Sequence, residues 1–522
     1  MQYGLRATRD GVADETTPSP RKNGRFRHLA VPFLMLAAAS ACVRPPSEAK
    51  STGHWAYQVE APPEGSRTVS VEATFENTRT ERLAIARESV PFVRDLHVVT
   101  ATGTRPIARQ GSQWVEPSCA KGCTVRYRVD LGALAAACGD EVDCARRVGE
   151  ATLSPALAWL VHPSPRTDVP VTVRVHTPNA VEFISGMNAT DESGRSFAFR
   201  SYDLDEGSFT AFGPIRRYRV DVAGKDAKTP GRLDVAVLGK TKYAMPDATM
   251  RAWVSDAAEV VTPLFGRFPV DRATLFVVPA KGEQEVVFGK VLSLAGASVV
   301  LVMGDRMPSS ARYDDWVLVH ELFHLGFPTF RGEGRWLGEG LATYYEPILR
   351  ARAGWMSEGE VFRQFVRNMP RGMPQRGSAA ALTKRDDLDS IYWGGALFCF
   401  AADVRIREET RGKHSLDDVM RAALARGGDA TKVWSVADVM KLGDEVTGTN
   451  VLTEMYDRYA ARGERIDLEG LLASLGIDRS DRGIIDLDDT RPLAWVRKGL
   501  MHRPGGDALA EHTSRPARQG LR

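Results

Sequence analysis

The stretch Leu318-Val319-His320-Glu321-Leu322-Phe323-His324-Leu325 sets two histidines and a glutamate among apolar residues. On a helix, His320 and His324 lie one turn apart on the same face, so both imidazoles can reach one metal ion while Glu321 projects beside them. The apolar neighbours predict a buried helix, and buried polar groups need partners, which a metal supplies. This arrangement is typical of zinc hydrolases, in which the glutamate acts as general base towards water. The alternative is a pair of histidines on an exposed helical turn.

A hydrolytic zinc site needs a third protein ligand and an open position for water. Glu339 is the preferred candidate because it follows His324 by fifteen residues on the next predicted helix. Its neighbours Gly338 and Gly340 allow that helix to approach the first one closely. Glu346, two turns further along, is the competing ligand, but Pro347 follows it directly and prolines kink helices. We therefore expect one zinc ion per chain, held by His320, His324 and Glu339.

Length and composition are those of an ordinary globular protein, with 522 residues, 43% of them hydrophobic and 26% charged. A chain of this length has room for two or three domains, each with its own core. The formal net charge of +3 is small and the basic residues are dispersed, which argues against nucleic-acid binding.

The N-terminal segment, residues 1–50, has the composition of an export leader followed by a linker. Basic residues between Arg21 and His28 precede an apolar run from Leu29 to Ala39, which is too short to span a membrane and predicts a secretory signal. The small residues before Cys42 are similar to a bacterial lipobox. We therefore expect lipidation of Cys42, membrane attachment through it, and a periplasmic or outer-membrane location; a plainly secreted protein is the alternative.

The remaining cysteines fit an oxidising compartment. Cys119 and Cys123 lie four residues apart, and Cys138 and Cys144 flank an acidic loop, so two short-loop disulfides are the natural interpretation. Three pairings are possible among these four residues, and a four-cysteine zinc site is the competing interpretation. Cys399, between two phenylalanines, is expected to be a buried free thiol.

The fold class predicted for the chain is α+β. Residues 51–230 alternate apolar and polar side chains between turns, which predicts an antiparallel β-sandwich. Its isolated histidines, among them His162, are expected at the surface or hydrogen-bonded in the core rather than at a metal. The glycine- and proline-containing segment from Ala223 to Gly231 predicts a linker or sharp turn at the domain boundary.

Residues 231–500 are expected to form a mixed α/β and helical domain. A helix is predicted from Asp247 to Leu264, followed by three strands and then by the motif helix. The motif helix should begin near Arg312, with Asp314 and Asp315 in its first turn, where acidic residues favour the helix dipole. A long helix should run from about residue 391 to 409, and residues 501–522 are polar enough to be disordered.

Four segments resemble the gluzincin metallopeptidases, and most closely the glycyl aminopeptidase family. The motif with Trp336 to Glu346 is similar to the zinc-binding part of that family, and Leu264 to Arg272 to the segment that leads into its catalytic sheet. Ile391 to Leu397 is similar to its Tyr-x-Lys-Gly-Ala helix, and Ser415 to Met420 to the start of the next helix. The resemblance extends over roughly residues 51 to 480. It implies a β-rich domain ahead of a thermolysin-like catalytic domain, and a role for Tyr392 as donor to the oxyanion. An aromatic side chain that only packs on its helix is the alternative for Tyr392.

The chain departs from this family where aminopeptidases bind the free amine of the substrate. They carry a glutamate for the amine on a strand before the motif helix, whereas residues 287–298 contain no acidic residue, and Glu283 and Glu285 lie outside the matching position. Gly394 also replaces the lysine that follows Tyr392, and the C-terminal PDZ module of the family has no room here.

We therefore expect a zinc metallopeptidase acting on peptides or proteins outside the cytoplasm, with exopeptidase or endopeptidase action left open. Two other classes stay open. One is a non-catalytic exported surface or scaffold protein that retains the metallopeptidase fold, and the other is a zinc hydrolase of a non-peptide substrate.

Overall fold

The computed structural model describes residues 53–178, 181–226, 229–374, 380–479 and 484–502. The predicted leader with Cys42, and the predicted tail from residue 503 onward, lie outside these ranges. Within them, no helix is both long and apolar enough to cross a membrane.

The first part of the chain is rich in strands and contains one short helix, α1 (Leu131–Cys138). Its strands are β1 (Trp55–Glu60), β2 (Thr68–Glu76), β3 (Arg82–Ala84), β4 (Val93–Thr100), β5 (Gly103–Pro106), β6 (Ala108–Gln110), β7 (Gln113–Val115), β8 (Gly122–Asp130), β9 (Arg146–Val148), β10 (Ala151–Pro155), β11 (His162–Pro163), β12 (Pro170–His176), β13 (Glu182–Ser185), β14 (Ser196–Arg200) and β15 (Phe209–Gly213). They form a seven-stranded sheet in the order β14-β12-β1-β2-β8-β4-β5 and two four-stranded sheets, β13-β15-β10-β9 and β11-β3-β7-β6.

The seven-stranded sheet is mixed rather than antiparallel as predicted, because β1 pairs with β12 in parallel. Parallel neighbours need a long crossover, and here the strands from β2 to β11 lie between them in the chain. Along β2 the predicted alternation is present, with Val69, Val71, Ala73 and Phe75 buried. The two predicted short-loop disulfides are confirmed as Cys119–Cys123 and Cys138–Cys144, and Cys399 is a buried free thiol as predicted.

The second part of the chain combines one larger sheet with helices. Its strands are β16 (Ile215–Asp226), β17 (Thr229–Leu238), β18 (Arg272–Ala280), β19 (Val286–Leu292), β20 (Ser298–Gly304), β21 (Ile477–Arg479) and β22 (Ile485–Leu487). Its helices are α2 (Asp247–Phe265), α3 (Val317–His324), α4 (Arg335–Arg352), α5 (Glu358–Asn368), α6 (Gly395–Glu409), α7 (Leu416–Ala425), α8 (Val436–Thr447), α9 (Val451–Met455), α10 (Leu468–Ser474) and α11 (Ala494–Met501). The larger sheet has the order β16-β17-β18-β20-β19.

The segment predicted to separate two domains lies inside this sheet. Strands β16 and β17 pair with each other in antiparallel fashion, so the glycines and proline between Ala223 and Gly231 belong to a hairpin. This agrees with the sharp turn, and not with the linker, of the two predicted alternatives. The chain passes from one set of sheets to the other between Gly213 and Ile215 instead.

The five-stranded sheet is covered on both faces, which explains its nearly continuous apolar strands. Val235, Leu275 and Val299 point towards the helices, in one cluster with the apolar residues of α2 and α3. Phe276 and Val300 point the other way, in a cluster with residues of β10 and β15. Strand β19 is the edge strand of this sheet and borders the site described below.

The motif helix begins at Val317, later than the predicted start near Arg312. A 3-10 turn, Ser309–Tyr313, precedes it. The carboxylate of Asp315 accepts a hydrogen bond from the backbone N–H of Leu318 at 3.0 Å, so this acidic residue caps the helix from outside its first turn rather than lying within it.

The buried His162 generates a prediction about stability. Its ring stacks on Trp55 and its Nδ1 lies 3.0 Å from the Pro163 carbonyl oxygen. Burial, assisted by the charge of Arg166, lowers the pKa of His162 to about 4. The unfolded chain therefore binds a proton near pH 6.5 that the folded protein does not bind until about pH 4. The stability linked to His162 is complete above pH 6.5 and is lost as the pH falls towards 4.

We expect the free energy of unfolding, measured with urea between pH 7 and pH 4.5, to fall less steeply in His162→Asn than in wild type. The difference between the two slopes should be roughly 1.4 kcal/mol per pH unit. His176, which is exposed on strand β12, provides the control, and His176→Asn should follow wild type. Parallel curves for His162→Asn and wild type would contradict the assignment.

Candidate metal centre and active site

The structure brings together the three residues predicted as metal ligands. His320 and His324 project from α3, and Glu339 projects from α4. The two Nε2 atoms are 3.3 Å apart, and each lies 3.4 Å from Oε2 of Glu339. Ligands held about 2.0–2.1 Å from a tetrahedral zinc ion are separated by about 3.3 Å. The donor types and their spacing therefore fit a zinc ion with one coordination position left over.

His320 is buried, His324 and Glu339 are half-buried, and the electrostatic interactions among them favour an ionised Glu339. Burial raises the pKa of Glu339, but the charges of His324 and His320 and their hydrogen bonds outweigh burial and leave it well below its usual range. Burial lowers the pKa of His320, which favours the neutral imidazole that a metal requires. Burial also acts to lower the pKa of His324, but the charge and hydrogen bond of Glu339 outweigh burial and raise it. A carboxylate that stays ionised beside two imidazoles is a natural cation site.

The competing ligand Glu346 is engaged elsewhere. Its Oε1 lies 2.8 Å from Nη1 of Arg350, and both side chains are buried. Nη2 of the same guanidinium donates to the carbonyl oxygens of Tyr313 and Asp314 at 3.0 and 3.1 Å. Glu346 thus belongs to a buried ion pair that fastens the segment before α3 to α4.

Glu321 lies against the backbone of strand β19. A Cβ atom placed on Gly289 would come within 2.6 Å of both Cγ and Oε1 of Glu321, so this contact requires glycine. Burial, assisted by the charge of Glu339, raises the pKa of Glu321 to about 8, although the charges of His324 and Lys290 oppose the rise. A carboxyl group with a pKa close to neutrality suits a general base.

Tyr392 reaches the site from a single π-helical turn, Ser390–Gly394, that leads into α6. Its ring centroid lies 6.2 Å from that of His320. Burial, assisted by the charge of Glu339, raises the pKa of Tyr392 well above its usual value, although Arg335 opposes the rise. The hydroxyl therefore keeps its proton at neutral pH and is available as a donor.

Glycine contacts set the position of this turn. A Cβ on Gly395 would lie 2.2 Å from the carbonyl oxygen of Trp336, and one on Gly340 would lie 2.4 Å from the carbonyl carbon of Gly395. Gly340 thus lets α4 approach α6, not the motif helix as predicted. Gly394 stands where the family that the sequence resembles has a lysine. A Cβ atom on Gly394 would lie 2.8 Å from the carbonyl oxygen of Gly372.

These side chains open onto one cleft, which both parts of the chain line. Its charged and polar lining includes Glu206, Lys290, Glu321, His324, Arg335, Glu339 and Tyr392. Glu206, from the loop after β14, was missed by sequence reasoning because no motif marks it and only the packing of the two parts places it here. Glu283 and Glu285 are exposed and do not line the cleft.

Burial raises the pKa of Glu206, while the charges of Arg331 and Lys290 oppose the rise. Arg331 also holds the Glu206 loop in place, since its Nη2 donates to the Tyr202 carbonyl oxygen at 3.3 Å and lies 3.8 Å from Asp205. The cleft therefore contains a carboxylate that does not belong to the metal ligand set.

A solved structure of an aminopeptidase N family protein from Idiomarina loihiensis is similar to this one, with a TM-score of 0.61 and 16% sequence identity over 81% of this chain and 78% of that chain. The chain shares its fold. A variant of an M1 zinc metallopeptidase from Deinococcus radiodurans, bound to a Tyr-Ser-Ala substrate, gives a TM-score of 0.49 and 15% identity over 79% of this chain and 94% of that one. No family model and no curated protein matches the sequence.

The geometry predicts how the metal site responds to loss of one ligand. Metal-free protein should take up one zinc ion per chain, and Glu339→Gln should weaken zinc binding by roughly 100-fold or more. Even loss of an outer-shell partner costs about 10- to 100-fold, and here an ionised ligand is replaced by a neutral amide. Competition with a chromogenic chelator measures the affinity. Glu333→Gln is the matched control, because Glu333 is an exposed glutamate in the 3-10 turn just before α4 and is paired with Lys384. Equal zinc affinity of the two variants would contradict the ligand assignment.

Proposed function

We propose that this protein is a zinc-dependent metallopeptidase. The observation that carries the proposal is the spacing of His320, His324 and Glu339, which matches a tetrahedral zinc site, directly beside the buried Glu321. The fold shared with an aminopeptidase N family protein supports it, and so does the presence of Tyr392 in the same cleft.

Each side chain has a definite task in peptide hydrolysis. A zinc ion at the three ligands supplies Lewis acidity for the substrate carbonyl and for water. Glu321 accepts a proton from the attacking water on a carboxylate oxygen and later delivers it to the leaving amine nitrogen. Gly289 confines that carboxylate to the edge of the cleft. Tyr392 donates its O–H to the carbonyl oxygen as negative charge develops there.

Two substitutions separate metal binding from hydrolysis. Glu321→Gln should keep its zinc and lose hydrolysis of peptides, because an amide cannot accept the proton. Tyr392→Phe should keep its zinc and lower kcat by roughly 100- to 1,000-fold, the usual cost of removing one oxyanion donor. Zinc content and peptide turnover, followed by mass spectrometry, are the measurements.

Tyr456→Phe, outside the cleft, is the control and should resemble wild type. Turnover by Glu321→Gln at the wild-type rate would refute the assigned base. Zinc-loaded wild type that cleaves no peptide would favour the alternative of an exported scaffold protein with a metallopeptidase fold.

Within this proposal the enzyme is an aminopeptidase. The sequence suggested that an amine-binding carboxylate is missing, but Glu206 brings one into the cleft from the first part of the chain. A carboxylate in a partly desolvated cleft can bind the free ammonium group of a peptide through charge-assisted hydrogen bonds. The motif residues support an assignment to the glycyl aminopeptidase family; endopeptidase action is the alternative.

Peptides with free and acetylated amino termini distinguish these two actions. Wild type should cleave the first residue from free peptides and leave the acetylated forms intact. Glu206→Gln should lower kcat/KM for free peptides by roughly 10- to 100-fold, the value of a hydrogen bond to a charged group. Glu192→Gln, at an exposed position in the same part of the chain, is the control and should leave kcat/KM unchanged. Equal cleavage of acetylated peptides would establish an endopeptidase instead.

The proposed enzyme acts outside the cytoplasm, on peptide or protein substrates. The basic and apolar leader supports export, and lipidation of Cys42 would attach the protein to a membrane. The two disulfides are consistent with an oxidising compartment.

A further inference from the structure

A cationic side chain, Lys290, lies in the cleft at the position next to Gly289. Its side chain is only 9% exposed, and its Nζ lies 2.5 Å from Oδ1 of Asp143. Asp143 belongs to the loop that the Cys138–Cys144 disulfide closes. A buried ammonium group is costly unless it is paired, so this loop of the first part fixes a positive charge at the edge of the catalytic sheet.

Lys290 shares the cleft with two carboxylates. Glu206 and Glu321 line the same cleft, and Gly289, the residue before Lys290, lies against Glu321. The charge of Lys290 also opposes the rise that burial causes in the pKa of Glu206. The cleft therefore presents both an anion and a cation.

Lys290 has capacity for a further partner. An ammonium group has three N–H donors, and the Asp143 Oδ1 contact uses one of them. The Asp143 side chain is 40% exposed, so solvent screens it more than it screens Lys290. A substrate carboxylate that reached the cleft side of Lys290 would form a charge-assisted hydrogen bond in partly desolvated surroundings.

The two opposite charges match one class of peptide end. The N-terminal residue of a peptide carries an ammonium group, which Glu206 can bind, and an acidic side chain adds a carboxylate a few atoms away, which Lys290 can bind. A basic side chain on the N-terminal residue of the peptide would be repelled by Lys290. A neutral side chain would give the Lys290 ammonium group no second anionic partner beside Asp143. We propose that Lys290, held by Asp143, makes the cleft select peptides whose N-terminal residue is aspartate or glutamate. This inference rests on the proposed aminopeptidase function and adds its substrate class.

Two peptides that differ only in N-terminal Glu or Gln test the inference, because the two side chains have nearly the same shape. Zinc-loaded wild type should show a kcat/KM roughly 10- to 100-fold higher for the Glu peptide. Lys290→Met should bring this ratio close to one, Lys290→Arg should keep it above one, and Lys290→Glu should shift preference towards an N-terminal Lys peptide. Lys281→Met, an exposed lysine in the turn before β19, is the matched control and should keep the wild-type ratio.

A Glu-to-Gln ratio of one or less in wild type would overturn the inference, and this measurement needs no variant to fold. A ratio that Lys290→Met leaves unchanged would overturn it as well. Both outcomes still require cleavage of peptides, whereas failure of zinc-loaded wild type to cleave the Glu, Gln and Lys peptides alike would refute the peptidase function itself.

Discussion

The crowding of three polar atoms governs this structure. Two imidazole nitrogens and a carboxylate oxygen lie 3.3–3.4 Å from one another, in surroundings where uncompensated polar groups are expensive. Such a cluster is stabilised when a cation lies at its centre. The apolar residues of α3 and α4 belong to one core cluster, and this packing holds the three polar atoms at their spacing.

Close backbone contacts at glycines help to fix the positions of the side chains in the site. Gly289 admits the carboxylate of Glu321 to the edge of β19, and Gly340 with Gly395 brings α4 and α6 together, so that Tyr392 reaches the ligands. At each point a single Cβ atom would come within 2.6 Å of its neighbour. Packed interiors accommodate little of such overlap. The absence of a side chain at these glycines therefore lets the residues of the site come together.

The sequence predicted the elements whose signals are local. The spacing of His320 and His324 places them on one helical face, and the short connection to Glu339 needs only two neighbouring helices to bring the three residues together, as the structure does. Four other features depend on contacts that local patterns do not encode. The hairpin around Ala223 to Gly231 has the composition of a linker, and only strand pairing distinguishes the two.

The local sequence around Asp315 likewise does not determine where helix α3 begins. An acidic residue is equally suited to the first turn or to a cap before it, and the structure uses the cap. The parallel pairing of β1 with β12 joins strands that are far apart in the chain. Glu206 enters the cleft from a loop of the first part, which Arg331 of the second part contacts. Residues of this last kind carry no motif, and they are found only once the fold is known.

Both parts of the chain contribute residues to the cleft. The second part contributes the candidate metal ligands, Glu321 and Tyr392, all on helices or their first turn, where packing fixes them. The first part contributes loops: one carries Glu206, and the other carries Asp143, which pairs with Lys290. Loops tolerate change better than packed helices do. The groups that these loops bring to the cleft can therefore vary while the candidate metal ligands, Glu321 and Tyr392 stay in place.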